Sequence, residues 1–329
     1  MAKRKAAAAV LFVLCLSMAI PGAALAQGAA SFPNKPINLI VPFPPGASTD
    51  LLARYLAPKL KDALDQPVIV ENRPGAGSTI GAAYVAKSAP DGHTLLVASS
   101  SVMQGYLMQK NPTYDSTRDF APLAVAFEHP FVILTGTRAN SPAQNIKDMI
   151  AYAKANPGKL NFATLGGFAD LMSEMIKKDA GIVMQIVPYR GAAEATVGVI
   201  RGDSAMTLNG YAAVKGQVDG GHARVLAVTS LQRNAAIPDV PTLAESGLPG
   251  FELTNVVGVL APAATPKPVL DRLNAEISRI LKSPETRHFI TSRGNDAVDD
   301  TSPGYYANKI KQETERFSRI IQEVGYQKQ

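Results

Sequence analysis

The chain has one cysteine, no tryptophan and four histidines in 329 residues. The cysteine, Cys15, lies in an apolar run near the start, so the remainder has no disulfide, thiol nucleophile or cysteine metal site. His93, His129, His222 and His288 are scattered without the spacing of metal ligands. No Gly-x-Ser-x-Gly elbow is present. Gly75-Ala76-Gly77-Ser78-Thr79-Ile80 misplaces the third glycine of a dinucleotide fingerprint and follows the second strand, not the first. The case for a hydrolase or other enzyme is therefore weak, and no metal, nucleotide or covalent cofactor is indicated. Basic residues form no stripe and do not alternate with aromatics, so no nucleic-acid partner is expected. Beyond residues 6–20, no apolar run is long enough to span a bilayer.

That run has the layout of a signal peptide over residues 1–26. Lys3, Arg4 and Lys5 precede Ala6 to Ile20, and Ala24-Leu25-Ala26 reads as a cleavage site. Val13-Leu14 before Cys15 lacks the small residue of a lipoprotein site. The expected mature chain starts at Gln27 and is exported to a bacterial periplasm. It keeps 30 basic against 27 acidic residues, a net charge of +3. Its length of about 300 residues suits two domains, and a monomer is expected.

What the sequence does contain is a repeated device. Ile37 to Val41 reads as a buried strand. Pro42-Phe43-Pro44-Pro45-Gly46-Ala47 follows as a turn, and a helix over 49–64 opens at Ser48, Thr49 and Asp50. Ser48 or Thr49 is the expected N-cap, and Asp50 suits the positive helix end. A strand, a tight turn and a helix start make an anion site, because the first helical N–H groups have no intrahelical partner. The device recurs at 71–81, running into a helix over 79–88, at 164–170 before a helix over 169–179, and at 188–193 before a helix over 192–201. Strands at 68–70, 94–98, 160–163, 185–187 and 205–208 complete βαβ patterns, which imply parallel sheets with ligands beyond the strands' carboxyl ends. Phe131 to Leu134 reads as a strand leaving the first unit and Val256 to Leu260 as one returning. A helix starting at Ser141-Pro142, and helices over 267–282 and 303–324, are also expected. Gly-rich turns occur in any α/β protein; four with Ser or Thr beside Gly favour binding.

Val41-Pro42-Phe43-Pro44-Pro45-Gly46, Asn72-Arg73-Pro74-Gly75-Ala76-Gly77 and Pro188-Tyr189-Arg190-Gly191 resemble signature segments of the Bug-type extracytoplasmic receptors, the substrate-binding proteins of tripartite tricarboxylate transporters. Ala89-Pro90-Asp91-Gly92, Ile237-Pro238-Asp239-Val240-Pro241-Thr242 and Glu245-Ser246-Gly247 extend the match over nearly all the mature chain. The resemblance implies an α/β, two-lobed periplasmic-binding-protein fold of Venus-flytrap type. Lobe 1 would be 27–130 plus 255–329, and lobe 2 would be 131–254. It implies a small carboxylate ligand, mono-, di- or tricarboxylate, gripped between lobes, and a partnership with the transporter's membrane subunits. On this sequence the first-lobe contacts fall on Phe43, Pro44, Gly46, Ala47, Ser48, Asp50, Gly77, Ser78 and Thr79. Gly167, Phe168, Ala169, Asp170, Tyr189, Arg190, Gly191 and Ala192 would close on the far end. Ser99, Ser100, Ser101 and Asn209 would add side-chain contacts.

Several positions depart from the family pattern. Ala47 replaces a second glycine, which is tolerable if its φ is negative. Asp170 stands where a His is common, and Asn209 where an acid is common. Asp170 either serves its helix start or meets a ligand ammonium or hydroxyl. Arg190 pairs either with a second carboxylate or with a surface acid. Tyr189 is either a cleft wall or a hydrogen-bond donor, and Asp50 reads as support for the first loop. Closure of the lobes over a docked carboxylate is the implied mechanism. Feeding a signalling partner, not a transporter, is the alternative that starts from the same closure.

Overall fold

The computed structural model describes residues 32–137, 144–164, 168–189 and 191–328. The signal-like segment, the Ser141–Pro142 helix start, Gly167 and Arg190 lie outside the described residues. Of Phe168 only the backbone is described.

The first part alternates strand and helix: β1 (Ile37–Val41), α1 (Ser48–Leu64), β2 (Val68–Asn72), α2 (Thr79–Ala86), β3 (Thr94–Ser99) and α3 (Ser101–Met108). β1 pairs in parallel with β2 on one side and β3 on the other. The turns that leave the three strands therefore open at one sheet edge. α1 buries Leu52, Leu56, Leu60 and Leu64 against that sheet, the spacing of one helical face.

β4 (Phe120–Gly136) joins the two halves of the molecule. As far as Pro130 it runs antiparallel to β9 (Thr254–Pro262). From Phe131 it exchanges β9 for β7 (Met206–Gly210) and β8 (Ala223–Val228). The order β2-β1-β3-β9-β4 thus continues through one shared strand into β4-β7-β5-β6, where β5 is Leu160–Thr164 and β6 is Met184–Pro188. Pattern reading finds only its last part, because Pro122 and Pro130 read as strand breakers. The register slips just after Pro122, and Pro130 is the last residue paired with β9.

β5 is parallel to β6 and β7, so their exits also share an edge. The helices of this half are α4 (Ile146–Ala155), α5 (Phe168–Ala180), α6 (Ala192–Arg201) and α7 (Tyr211–Asp219). α4 is capped at Asn145, whose side chain accepts from the Asp148 amide. α8 (Lys267–Leu281), α9 (Pro284–Thr291), β10 (Asp296–Ala297) and α10 (Pro303–Glu323) complete the chain. α3, α7 and α9 have no counterpart in the pattern reading.

Each sheet carries its own apolar cores, giving two α/β lobes. α10 belongs to both. Tyr306 and Ile310 pack in a first-sheet core, whereas Phe317, Ile320 and Ile321 pack in the largest second-sheet core. The segment 255–329 therefore touches both cores. Among the described residues no helix is long and apolar enough to cross a membrane.

Candidate functional site

The two first-lobe turns are brought together by a side chain to which the sequence pattern assigns no role. Asn72, the last residue of β2, donates through Nδ2 to the Phe43 carbonyl (3.0 Å) and to Asp50 Oδ1 (2.8 Å). Its Oδ1 accepts from Arg54 (2.9 Å). Asp50 Oδ2 accepts from the Gly46 amide at 2.8 Å and from Arg54 Nε at 3.0 Å. Burial works to raise the Asp50 pKa, but the bonds from Arg54, Gly46 and Asn72 outweigh it and hold the carboxyl below the usual carboxylate range. Both oxygens are thus committed inside the protein, and Asp50 is the brace of the first turn. α2 closes the arrangement. A Cβ on Gly81 would meet the Arg73 carbonyl and Pro42 at 2.9 Å, so only glycine lets this helix rest on both turns.

Ala47 is the N-cap position of α1, at φ −67°, so its methyl costs nothing. Neither Ser48 nor Thr49 caps the helix: no side-chain cap bond is made there, and Thr49 Oγ1 is buried without a partner. In the second turn Gly75, Ala76, Gly77 and Ser78 all have positive φ. This left-handed run turns the chain tightly enough for Ser78 N–H to reach the Gly75 carbonyl (3.1 Å).

A pattern emerges in the capping. α1, α2, α3, α6 and α7, which leave strand ends at the sheet edges, have no side-chain cap bond. α4, α9 and α10 are each capped by an Asn or Ser side chain. α8, entered through Pro266 and Pro268, is the exception among the others. At the starts of α1, α6 and α7 no side chain takes the leading N–H groups, which leaves them open to a ligand; at α2 the Thr79 amide donates to the Ala76 carbonyl, and at α3 the Ser101 amide donates to Ser99 Oγ at 3.4 Å. Buried oxygens without a partner also collect at the strand exits: Thr49 Oγ1, Thr164 Oγ1 at the end of β5, and Asp170 Oδ1 in the first turn of α5.

Beside the first-lobe turns lies a cleft of about 1190 Å³. Phe43, Ala76, Gly77, Thr79 and Ser101 line it, with α2, α3 and the segment after α3. Phe43 both lines the cleft and packs against a first-sheet core. The described lining includes Lys87 and Lys110 but no acid, and neither lysine has an ion-pair partner among the described residues. Sequence reasoning misses the lysines and Gln104, because the helix that carries Gln104 is itself not legible in the pattern. Tyr326 also lines the cleft, from just beyond α10. Burial raises its pKa, and the nearby Asp170 carboxylate adds to the effect.

Other expected contacts sit elsewhere. Pro44, Gly46, Ala47 and Ser48 form the more open shoulder of the first turn. Ser78 is buried and accepts from Ser101 Oγ at 3.1 Å; Ser101 Oγ also pairs with Ser99 Oγ at 2.9 Å. Ser100 is fully buried: its amide donates to Asn255 Oδ1 (2.9 Å), and its hydroxyl accepts from the Val256 amide (3.0 Å). It staples α3 to the returning strand, and Ser101 takes the cleft position. Thr79 Oγ1 donates to the Ala76 carbonyl and accepts from Gln109.

In the second lobe, the Tyr189 ring lies along α6 over Gly198, with its hydroxyl 3.3 Å from Ser204. That is nearly two turns from the helix start, and the ring packs along α6. Asn209 is buried and donates to Thr196 Oγ1. Ala169 packs inward. Gly191 is open on its Cβ side and leads into Ala192 at the uncapped start of α6. None of these second-lobe residues belongs to the described lining of the cleft. Among the described residues no group of three or more His, Cys, Asp or Glu is placed to hold a metal.

Residues 52–326 match the family model described as tripartite tricarboxylate transporter family receptor. The protein BugT of Bordetella pertussis is 35% identical over 323 residues, covering 96% of this chain and 97% of its own. The structure of R. palustris Rpa4515 with adipate superposes with a TM-score of 0.80 at 28% identity, over 90% of this chain and 99% of that one. MatC from Rhodopseudomonas palustris with bound malate gives 0.77 at 27% identity, over 88% and 100%.

Proposed function

The chain belongs to the tripartite tricarboxylate transporter receptor family, whose members are substrate-binding receptors and not enzymes, and from that premise we propose that it is a periplasmic receptor for a small carboxylate. The ligand is held between lobe 1, residues 27–130 with 255–329, and lobe 2, residues 131–254. Its carboxylate docks on the turns at 43–50 and 75–79, the second lobe closes over it, and the closed form is read by membrane subunits of a tripartite transporter. Export through the signal-like segment at 1–26 is part of the same reading.

The observation that carries it is the contrast in capping. The starts of α1, α6 and α7, at strand exits, carry no side-chain cap, whereas three helix starts elsewhere are satisfied by side chains. Bare N–H groups with an aligned dipole favour an anion, and each bond to a carboxylate is charge-assisted. Lys87 and Lys110 add a positive field at the rim, which speeds the approach of an anion. Adipate and malate in the related structures are both dicarboxylates, which supports a ligand of that class.

Thermal-shift screening against mono-, di- and tricarboxylates tests the reading. A ligand at about 100 times its Kd adds about 2.7 kcal/mol to stability, which raises the melting temperature by several degrees. A panel in which neutral amide analogues shift the protein and the acids do not would overturn it.

A further inference from the structure

Gln104, in the first turn of α3, is a polar side chain on the cleft wall that the rest of the protein leaves unused. Only 4% of it is exposed, and that opening faces the cleft. Its amide makes no side-chain hydrogen bond to any described residue, and it is not one of the buried unpartnered groups, so its polar atoms are open to the cleft. The neighbouring polar groups are already committed. Gln109 Nε2 donates to Thr79 Oγ1 at 3.1 Å. Ser101 is bonded to Ser78 and to Ser99, and Ser100 is bonded to Asn255 and Val256. Gly105, the next residue, shows how close the second turn comes. A Cβ there would lie 2.7 Å from Thr79 Cγ2 and 3.2 Å from the Gly77 carbonyl. α3 thus packs against the left-handed turn at 75–78, and Gln104 lines the same cleft as Ala76 and Gly77.

We propose that Gln104 is a ligand-contacting residue, whose Nε2 donates to the carboxylate that docks on the second turn. The inference rests on the carboxylate reading above and adds a side-chain donor to a site otherwise built from backbone amides. Gly105 keeps α3 close to that turn, since a side chain there would meet Thr79 and the Gly77 carbonyl.

Titration calorimetry with adipate, malate, citrate and benzoate, on the wild-type protein and on Gln104→Leu and Gln104→Glu, tests it. Leucine matches the volume but cannot donate. Affinity for the tightest of the four acids is expected to fall about tenfold or more, the loss of one bond to a charged group. The ligand-free melting temperature should stay level or rise, because no internal bond is lost. Glutamate sets a negative charge beside the ligand's own and abolishes measurable binding. In the wild-type protein, the NMR signal of the Gln104 side-chain amide should move on addition of the same acid, a readout that needs no variant to fold. An unmoved amide signal overturns the inference, as do affinities within about twofold of wild type in both variants; a lower melting temperature with binding intact assigns Gln104 to the core. Should the wild type bind none of the four acids, the carboxylate reading falls together with it.

Discussion

Asn72 shows how much of the site depends on one short side chain. Among the described residues, its amide is the group that bonds both the Phe43 carbonyl and the Asp50 carboxylate, and its oxygen holds Arg54. The length of the side chain matters, because all three partners converge on the end of β2. Asn72→Ala removes these bonds and leaves the almost fully buried Asp50 with one fewer donor. Loss of a bond to a buried charge costs about 2 kcal/mol. Chemical denaturation is expected to show that loss of stability, together with weaker carboxylate binding as the turns separate. Asn72→Asp should be worse than Ala, since it sets a second carboxylate against Asp50.

Among the elements, α10 brings the far end of the chain to the cleft. Gly325 takes φ +64°, its N–H donates to the Gln322 carbonyl, and Tyr326 N–H donates to the Ile321 carbonyl. This pair of bonds is a Schellman motif, and its usual apolar contact is supplied by Tyr326 and Ile321 in one core. The motif aims Tyr326 at the cleft wall. Gly325→Ala forces a methyl into the left-handed region, at a cost of about 1 kcal/mol. The expected outcome is a modest drop in melting temperature and a changed ranking of ligands in the thermal-shift panel. An unchanged ranking would separate the helix end from ligand choice.

At the scale of the whole molecule, the elements shared by the lobes carry buried titratable groups with opposite tendencies. His129, on β4, loses solvent on burial, which drives its pKa from the ordinary 6.5 down to about 4. Asn255 faces it at 3.0 Å through Nδ2, because its Oδ1 is occupied by the Ser100 amide, so His129 Nε2 must accept and stay unprotonated. Glu313, on α10, is pushed by burial from 4.5 up to about 7, against the pull of Arg316 and Lys309. Between pH 4 and 6.5 the unfolded chain binds more protons at His129, so that residue costs stability as pH falls. Between pH 4.5 and 7 the folded chain binds more protons at Glu313, so that one costs stability as pH rises. Relative to wild type, His129→Gln should gain melting temperature as pH is lowered from about 7 to about 5, and Glu313→Gln as pH is raised over the same interval. Parallel pH profiles for all three proteins would show that neither group is shifted.

The sequence by itself determined the alternation of strands and helices, the family, and the turns of the first lobe, because periodicity, proline and glycine act over a few residues of chain. Phe43, the 75–79 turn and the bracing role of Asp50 were readable for that reason. Tertiary structure alone decided that β4 runs unbroken through Pro122 and Pro130, that Ser100 staples a strand while Ser101 meets the cleft, and that Tyr189 turns along α6. It also decided that Gln104 and Tyr326, more than 200 residues apart, share one cleft. Such choices depend on which partners burial brings within hydrogen-bond reach, and a local pattern carries no record of partners distant in the chain.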